Sequence, residues 1–273
     1  MQLNNKTVFI TGGSRGIGAA IALKLAAAGA NVAIAAKSVV EDSRLGGTIY
    51  SVAEAIEKAG GRALPIQCDI RDEAAIREAV EKTATTFNGI DMLINNASAI
   101  YLSPTEKLSA KQFDLMHDIN IRGTFLVGKA CLPYLKRAVS GHILTLSPPI
   151  NLDPKWFGQH AAYTIAKYGM TMLALGWAEE LADYNVASNT LWPRTTIDTA
   201  AVRNLLGGEV LANRSRTPDI IADAAFAILS KEDKEYNGQT LIDEDVLRNE
   251  GIRDFSKYSV VPGAELYIDL FLD

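Results

Sequence analysis

Tyr163 and Lys167 are the residues whose types and spacing suggest chemistry most directly. They lie four residues apart in YTIAK, within a helical pattern, and would therefore share one face of a helix. A free phenol titrates at about pH 10, too high for proton exchange at neutral pH, but a neighbouring ammonium favours the phenolate. A phenol activated in this way can give a proton to a carbonyl oxygen or take one from an alcohol. Such a pair also occurs by chance on many helices, so the elements around it decide its meaning.

A glycine-rich segment, TGGSRGIG, lies directly between an apolar run and a helical pattern. Glycines allow the backbone to approach a diphosphate, and the following helix N-terminus offers free N–H groups and the positive end of its dipole. The alternative is a glycine-rich turn without a ligand, but the order strand, loop, helix favours nucleotide binding. The expected cofactor-binding residues in this segment are Gly12, Ser14, Arg15, Gly16, Ile17 and Gly18.

The charges beside this segment favour NADP(H) over NAD(H). Folds that bind NAD usually carry Asp or Glu at the end of the second strand, where it accepts a hydrogen bond from the ribose 2′-hydroxyl. Here that position holds Lys37, with no carboxylate until Glu41, and Arg15 lies inside the glycine segment. Two cations suit a 2′-phosphate. The alternative is that both are solvated surface charges.

Two further residues stand at predicted strand ends, where ligands bind in open α/β sheets. Asp69 ends the third predicted strand, and we expect it to contact the adenine, to cap the following helix, or to do both. Asn96 lies in NNAS, 95–98, which ends the fourth strand, and we expect it at the cofactor site. Its neighbour Asn95 is expected to have a structural role.

Short apolar runs alternate with longer helical patterns along the whole chain, as in repeated βαβ units. The predicted strands are 7–11, 31–36, 63–69, 91–98, 142–147, 187–193 and 239–243. The predicted helices are 17–30, 49–60, 72–87, one or two within 109–137, 161–183 and 218–230. The pattern predicts an α/β protein with a single doubly wound domain and a mainly parallel sheet.

Bulk properties exclude several classes of function. The 273 residues carry a net charge of −5 without a clustered basic face, so a nucleic-acid partner is not expected. No apolar run approaches the roughly 20 residues of a membrane helix, and the N-terminus lacks a signal pattern. Cys68 and Cys131 are expected to be reduced core thiols, and the three histidines lack metal-ligand spacing. These features predict a cytoplasmic enzyme without a metal or membrane partner.

The segments TGGSRGIG, NNAS, DINIRG and YTIAK, in this order, resemble the short-chain dehydrogenase/reductase family over about residues 5–245. The resemblance implies a Rossmann fold with Tyr163 as general acid/base. It implies that Lys167 binds the nicotinamide ribose and lowers the pKa of the phenol. It also implies that Asn120 holds a water that relays protons from Lys167.

The domain is expected to span 1–273, with a substrate-covering segment at about 194–217 and a C-terminal tail at 246–273. A related multidomain protein of the family carries a C-terminal sterol-carrier domain. Because the chain ends at Asp273, we expect no such module here.

Two positions depart from the family pattern. Reading GHILTLSP against the family puts Pro148 at the usual catalytic serine, and Ser147 one residue early, on the opposite face of a pleated strand. Ser147 therefore either contacts the substrate oxygen or has a capping or turn-forming role. After the sixth strand the family has Pro-Gly, where this chain has Pro193-Arg194. Pro193 and Thr196 are the expected cofactor contacts there, although Thr195 is an alternative to Thr196.

The predicted activity is hydride transfer between NADP(H) and an apolar alcohol or carbonyl substrate. The alternative is a cofactor-binding protein with little turnover, because the usual serine is displaced. The helix patterns at 121–137 and 161–183 are apolar on more than one face, so each helix is buried on several sides. The family resemblance suggests that these helices pair between subunits, as a homodimer or homotetramer. Burial within a monomer is the alternative.

Overall fold

A sheet of seven strands organises the residues that the computed structural model describes, which are 3–231 and 234–273. The strands are β1 Thr7–Thr11, β2 Asn31–Ala36, β3 Arg62–Gln67, β4 Met92–Asn95, β5 Gly141–Leu146, β6 Val186–Trp192 and β7 Thr240–Ile242. Their order in the sheet is β3-β2-β1-β4-β5-β6-β7, and every neighbouring pair is parallel. The predicted class, a doubly wound α/β fold with a parallel sheet, is confirmed.

Helices cover both faces of this sheet. They are α1 Gly16–Ala27, α2 Ile49–Lys58, α3 Glu73–Phe87, α4 Ala110–His117, α5 Thr124–Leu135, α6 Lys155–Gly158, α7 Ala161–Glu180, α8 Gly208–Asn213, α9 Asp219–Leu229 and α10 Asp243–Asn249. Side chains of β1 alternate between the two cores: Val8 and Ile10 pack with α1 and α9, whereas Phe9 packs with α3 and α5. Burial on both faces explains why the strands are apolar throughout.

The strand order reverses at β1, which pairs with β2 on one side and with β4 on the other. Crossovers leave in opposite directions from this point, so a crevice opens at the carboxyl ends of β1 and β4. Thr11 and Asn95 end these two strands. The crevice is therefore lined by the segments that the sequence singled out.

Two parts of the chain differ from their predicted form, whereas a third, predicted as one or two helices, forms two. The segment 109–137 is α4 and α5 joined by a π-helical turn at Asp118–Gly123. The predicted fourth strand ends at Asn95, because the residues after it bond to the end of β1 instead of extending the sheet. The segment 246–273, expected as a tail, buries Phe255, Tyr258 and Phe271 because apolar side chains draw it onto the domain.

Both cysteines are buried free thiols, and burial raises the pKa of Cys68 to about 11 and that of Cys131 further. Within residues 3–231 and 234–273, no group of three or more His, Cys, Asp or Glu side chains is arranged to hold a metal ion. The same residues include no helix with the length and apolar character needed to cross a membrane.

His142, in the middle of the sheet, is expected to make the protein sensitive to acid. Its side chain is 3% exposed, and burial lowers its pKa to about 4 from 6.5. Between these values the unfolded chain binds a proton that the folded protein excludes, so stability is lost as pH falls from 6.5 towards 4. We expect the free energy of unfolding to fall by about 3 kcal/mol over this range. Urea unfolding of the parent and of His142→Gln, each at pH 7 and at pH 4.5, measures how much of the loss is due to His142. Equal acid sensitivity of the two proteins would contradict the assignment.

Candidate active site

The loop between β1 and α1 has no room for side chains at two of its glycines. Gly12 has a φ of +65°, and a Cβ on it would lie 2.9 Å from Ala97 Cα. A Cβ on Gly18 would lie 2.5 Å from both the Gly12 carbonyl oxygen and Asn96 Nδ2. From Gly12 to Gly18, in the first turn of α1, the backbone is therefore unobstructed by side chains at these two positions, an arrangement suited to a phosphate group.

Thr11 and Asn96 tie this loop to the end of β4. Thr11 Oγ1 accepts hydrogen bonds from the backbone N–H groups of Asn96 and Ala97, both at 3.1 Å. Asn96 Nδ2 donates to the carbonyl oxygens of Thr11 and Gly12, both at 3.0 Å. Asn95 turns the other way, and its Nδ2 donates to Thr145 Oγ1 on β5. Asn96 thus holds the backbone at the start of the glycine loop in place, whereas Asn95 connects β4 to β5.

A cavity of about 390 Å³, the first cavity, lies over the glycine loop. Its walls include Gly12, Ser14, Arg15, Gly16, Ile17, Gly18, Lys37, Asp69 and Asn96. Arg15 donates from one guanidinium nitrogen to the Gly47 carbonyl at 3.0 Å, but its buried Nε has no hydrogen-bond partner among the described residues. Since an unpaired buried donor is costly, an anion that it could bind would be stabilised there. The exposed Lys37 adds a second cation.

Asp69 was expected to contact the adenine, to cap the following helix, or to do both, and the structure excludes the capping role. It lines the first cavity, but it pairs with Arg71, which lowers the pKa of the carboxyl. The N-cap of α3 is Asp72, whose Oδ1 accepts from the N–H groups of Ala74 and Ala75. The prediction that Asp69 caps this helix is therefore wrong. A helix capped by Asp69 would begin at residue 70, whereas α3 begins at Glu73.

Tyr163 and Lys167 line a second cavity of about 490 Å³, as their spacing on one helix predicted. The first and second cavities adjoin, since six residues face both: Ile17, Asn96, Ser98, Thr199, Ala201 and Leu205. Thr199, Ala201 and Leu205 belong to the segment 194–217, which therefore forms a wall of both cavities. An elongated molecule bound over the glycine loop could extend from the first cavity to Tyr163.

Burial determines the protonation of the two α7 residues. Lys167 Nζ donates to the Leu146 carbonyl at 2.6 Å and lies 5.1 Å from the centre of the Trp192 ring, and burial lowers its pKa to about 7. Burial also raises the pKa of the Tyr163 phenol, and the negative charge of Asp269 raises it further. The family resemblance implies a lowered pKa for the Tyr163 phenol, but in the protein without cofactor this pKa is raised and Tyr163 stays protonated.

Asn120 lies in the π-helical turn between α4 and α5 and is fully buried. Both ends of its amide are bonded to Ala99 after β4: Oδ1 accepts from the Ala99 N–H at 2.8 Å, and Nδ2 donates to the Ala99 carbonyl at 3.0 Å. Asn120 therefore holds the loop that carries Ser98 and Ile100 into the second cavity.

Ser147 lies away from the second cavity. It is fully buried against α7, where its Oγ is hydrogen-bonded to Thr171 Oγ1 at 3.0 Å. Thr171 also donates to the Pro148 carbonyl at 2.7 Å, so the two prolines do not redirect the serine toward Tyr163. The expected strand pleat explains this orientation.

Pro193 and Thr196 both line the second cavity, and Thr196 Oγ1 is bonded to Ser215 Oγ at 2.7 Å. Thr195 Oγ1 is buried without a partner among the described residues. Arg194, which replaces the family's glycine, does not have a left-handed φ. Its side chain forms a two-bond ion pair with Asp245 at 2.7 and 2.8 Å, away from this cavity.

Sequence reasoning missed the C-terminal contribution to the second cavity. Tyr267, Asp269 and Leu270 line it, and all three lie in the segment expected to be a tail. The signal available was the composition of ELYIDLFLD, which is too apolar for a free chain end.

Comparison with known proteins defines the class. The family model described as short chain dehydrogenase matches residues 6–208, so the chain belongs to this oxidoreductase family. A crystal structure of a short chain dehydrogenase from Mycobacterium thermoresistibile is 56% identical, with a TM-score of 0.94 over 99% of this chain and 96% of that one. A short chain dehydrogenase from Burkholderia cenocepacia J2315, crystallised in complex with NADP, is 27% identical, with a TM-score of 0.73 over 89% of this chain and 97% of that one.

Among individual proteins, hydroxysteroid dehydrogenase-like protein 2 of Mus musculus is 56% identical over 272 residues, which cover all of this chain and 55% of the relative. The predicted likeness to that protein, based on stretches such as NNASAI, LSPPINL and AAYTIAKYGM, is confirmed. The chain spans between about half and two thirds of the length of the curated relatives that it matches.

Proposed function

We propose that this chain is an NADP(H)-dependent oxidoreductase that transfers a hydride between the nicotinamide and an alcohol or carbonyl group, with Tyr163 as general acid/base. The observation that carries the proposal is the position of Tyr163 and Lys167 in a cavity that adjoins the glycine-loop cavity. A phenol at that position can deliver a proton to the oxygen of a carbonyl whose carbon accepts the hydride.

The residues of the first cavity suit the cofactor. The backbone of the glycine loop would hold the diphosphate, and the unpaired Nε of Arg15 together with Lys37 would bind the 2′-phosphate. When bound, the cofactor supplies or accepts the hydride. Lys167 would bond the nicotinamide ribose, and the added positive charge of an oxidised nicotinamide would favour loss of the Tyr163 proton.

The walls of the second cavity favour an apolar substrate, such as a fatty, terpenoid, acyl or steroid-like compound. Most of its lining residues are apolar: Ile17, Ile100, Leu102, Leu146, Trp192, Pro193, Ile197, Ala201, Val202, Leu205, Leu206, Leu211 and Leu270. Burial of such a ligand contributes about 25 cal/mol for each Å² of apolar surface. The experiment that tests the function is NADPH consumption by the parent with a panel of aldehydes, ketones and acyl thioesters of increasing chain length. Specificity that rises with apolar surface is expected, and no consumption with any compound contradicts the proposal.

Replacing Lys37 with aspartate is expected to shift the cofactor preference toward NADH. The change puts a carboxylate where the 2′-phosphate would lie, and that carboxylate can instead accept a hydrogen bond from the 2′-hydroxyl. We expect the ratio of kcat/KM for NADPH over NADH to fall at least tenfold. Lys82→Asp, the same charge change on the exposed face of α3, is the control. If Lys37→Asp, like the control, keeps the parent's ratio of kcat/KM for NADPH over NADH, Lys37 does not bind the 2′-phosphate.

We also propose a homodimer or homotetramer formed through α5 and α7. Both helices keep large apolar side chains in solvent, with Phe125 45%, Ile165 50% and Met172 60% exposed. Sedimentation at micromolar concentration is expected to show a species of at least twice 29.4 kDa, and Met172→Glu should reduce it to the monomer mass. A parent that sediments only as a monomer would contradict this assembly.

A second candidate function is binding of NADP(H) with little turnover, which the orientation of Ser147 toward Thr171 favours. Tight NADPH binding without consumption of NADPH for any compound would support it. A cytoplasmic location is proposed for either function, and fluorescence microscopy of the tagged full-length protein in its own cell tests it.

A further inference from the structure

The second cavity contains a carboxyl group that none of the motifs assigns, that of Asp269. The C-terminal segment 267–270 runs antiparallel to the loop after β6. Thr196 N donates to the Tyr267 carbonyl at 3.0 Å, and Asp269 N donates to the Arg194 carbonyl at 3.1 Å. These backbone bonds hold Asp269 beside the end of β6, facing the same cavity as Tyr163 and Lys167.

The residues after Asp269 anchor this position. Trp192 Nε1 donates to the Leu270 carbonyl at 3.0 Å. Phe271 is 1% exposed, and its ring stacks with that of Tyr163 at a centroid separation of 6.2 Å. Backbone pairing and the buried Phe271 ring thus hold Asp269 at the end of β6.

One oxygen of the Asp269 carboxyl is available to a ligand. Oδ1 accepts a hydrogen bond from Leu270 N at 2.7 Å. In the part of the chain that the structure describes, the side-chain hydrogen bond of Asp269 is this one, to Oδ1. Oδ2 is therefore the oxygen of this carboxyl that a molecule in the second cavity could reach.

The charges around Asp269 keep it close to the protonated state at neutral pH. Burial raises its pKa to about 7, a hydrogen bond from Leu270 N opposes this rise, Asp243 adds to it and Lys167 opposes it. The groups that face it are Tyr163 and Lys167 from α7 and Asp243 from α10, whereas the Arg194 side chain is paired with Asp245. A protonated carboxyl is a hydrogen-bond donor.

We propose that Asp269, in its acid form, donates a hydrogen bond to the substrate oxygen in addition to the bond from Tyr163. Ser147 cannot make this contact, because it does not line the second cavity. The proposal rests on the proposed function. During reduction the carbonyl carbon receives the hydride, and its oxygen receives the Tyr163 proton. Asp269 keeps its own proton and stabilises the charge that develops on that oxygen. During oxidation the same carboxyl orients the alcohol.

The test compares Asp269→Ala, Asp269→Asn and the control Asp273→Asn, with NADPH and a substrate found in the panel. Asp273 lies four residues on, outside the cavity, in an ion pair with Lys155. Asp269→Ala is expected to lower kcat/KM by about 100-fold, as removal of one oxyanion donor does. Asp269→Asn keeps a donor, so a loss of less than about tenfold is expected. The control is expected to keep kcat/KM within twofold of the parent, because Asp273 does not line the second cavity.

The pH profile separates this role from a structural one. As pH rises through about 7, Asp269 loses its proton, and Lys167 does so over the same range. The rate of reduction by the parent is therefore expected to fall more steeply with pH than that of Asp269→Asn, which keeps only the contribution of Lys167. In the protein without cofactor, the infrared difference between parent and Asp269→Asn should contain a protonated carboxyl band that disappears over the same range. The second readout does not depend on turnover, and Asp269→Asn keeps the test decisive if the alanine variant misfolds.

Two results would overturn the proposal. One is an Asp269→Ala variant whose kcat/KM lies within twofold of the parent, and the other is an Asp269→Asn variant that keeps the parent's pH profile. If Tyr163→Phe is inactive in the same assay, only the role of Asp269 is lost. A parent that consumes no NADPH with any compound instead overturns the proposed function and, with it, the role of Asp269.

Discussion

Tyr163→Phe is expected to lower kcat for NADPH-dependent carbonyl reduction by about 10³-fold, within the range of general acid catalysis. The variant loses the proton donor while keeping the ring, whose contacts with Phe271 and His160 maintain the wall of the cavity. None of the hydrogen bonds in the described part of the chain involves the Tyr163 hydroxyl, so folding should be unaffected. Steady-state NADPH oxidation and a urea unfolding curve together measure the two effects.

Tyr168→Phe is the matched control for this prediction. Tyr168 lies five residues later on α7, and its hydroxyl donates to the Asn151 carbonyl at 2.7 Å and accepts from the Asn151 N–H at 3.1 Å. It does not line the second cavity. Removing this hydroxyl should lower the free energy of unfolding by about 1 kcal/mol and leave kcat within a few fold. A Tyr163→Phe variant that retained a tenth of the parent's turnover would show that another group supplies the proton.

Gly18→Ala is expected to weaken NADPH binding at least tenfold. The new methyl group would lie 2.5 Å from both the Gly12 carbonyl oxygen and Asn96 Nδ2, and Gly12 is backbone. The loop must move to relieve this overlap, which displaces the N–H groups that would hold the diphosphate. Overpacking of this kind also lowers the free energy of unfolding by about 1–3 kcal/mol. NADPH fluorescence titration and urea unfolding measure both losses.

Gly158→Ala controls for the substitution itself. Gly158 ends α6, has no left-handed φ, and has no atom within 4 Å of the position where its Cβ would lie. Its NADPH Kd should match that of the parent. A Gly18→Ala variant with a Kd within twofold of the parent would mean that the glycine loop does not contact the phosphates.

The sequence by itself was sufficient to predict the fold class and the family. Apolar runs alternating with helical patterns depend on periodicities that each segment carries locally, so seven strands and the major helices could be predicted without tertiary information. The glycine loop and the Tyr163–Lys167 pair follow from local spacing in the same way. Their shared location follows from the rule that ligands bind at the carboxyl ends of parallel strands.

The tertiary structure alone decided which side chains face the reacting centre. Ser147 turns to Thr171, and the N-cap of α3 is Asp72, because side-chain direction depends on where strands and helices end, and these boundaries are set by packing. Asp269 is about 100 residues from Tyr163 in the chain. Its arrival in the same cavity depends on backbone pairing with the loop after β6 and on burial of Phe271. Contacts of that sequence separation leave no periodic signal in either segment, so only the folded chain reveals them.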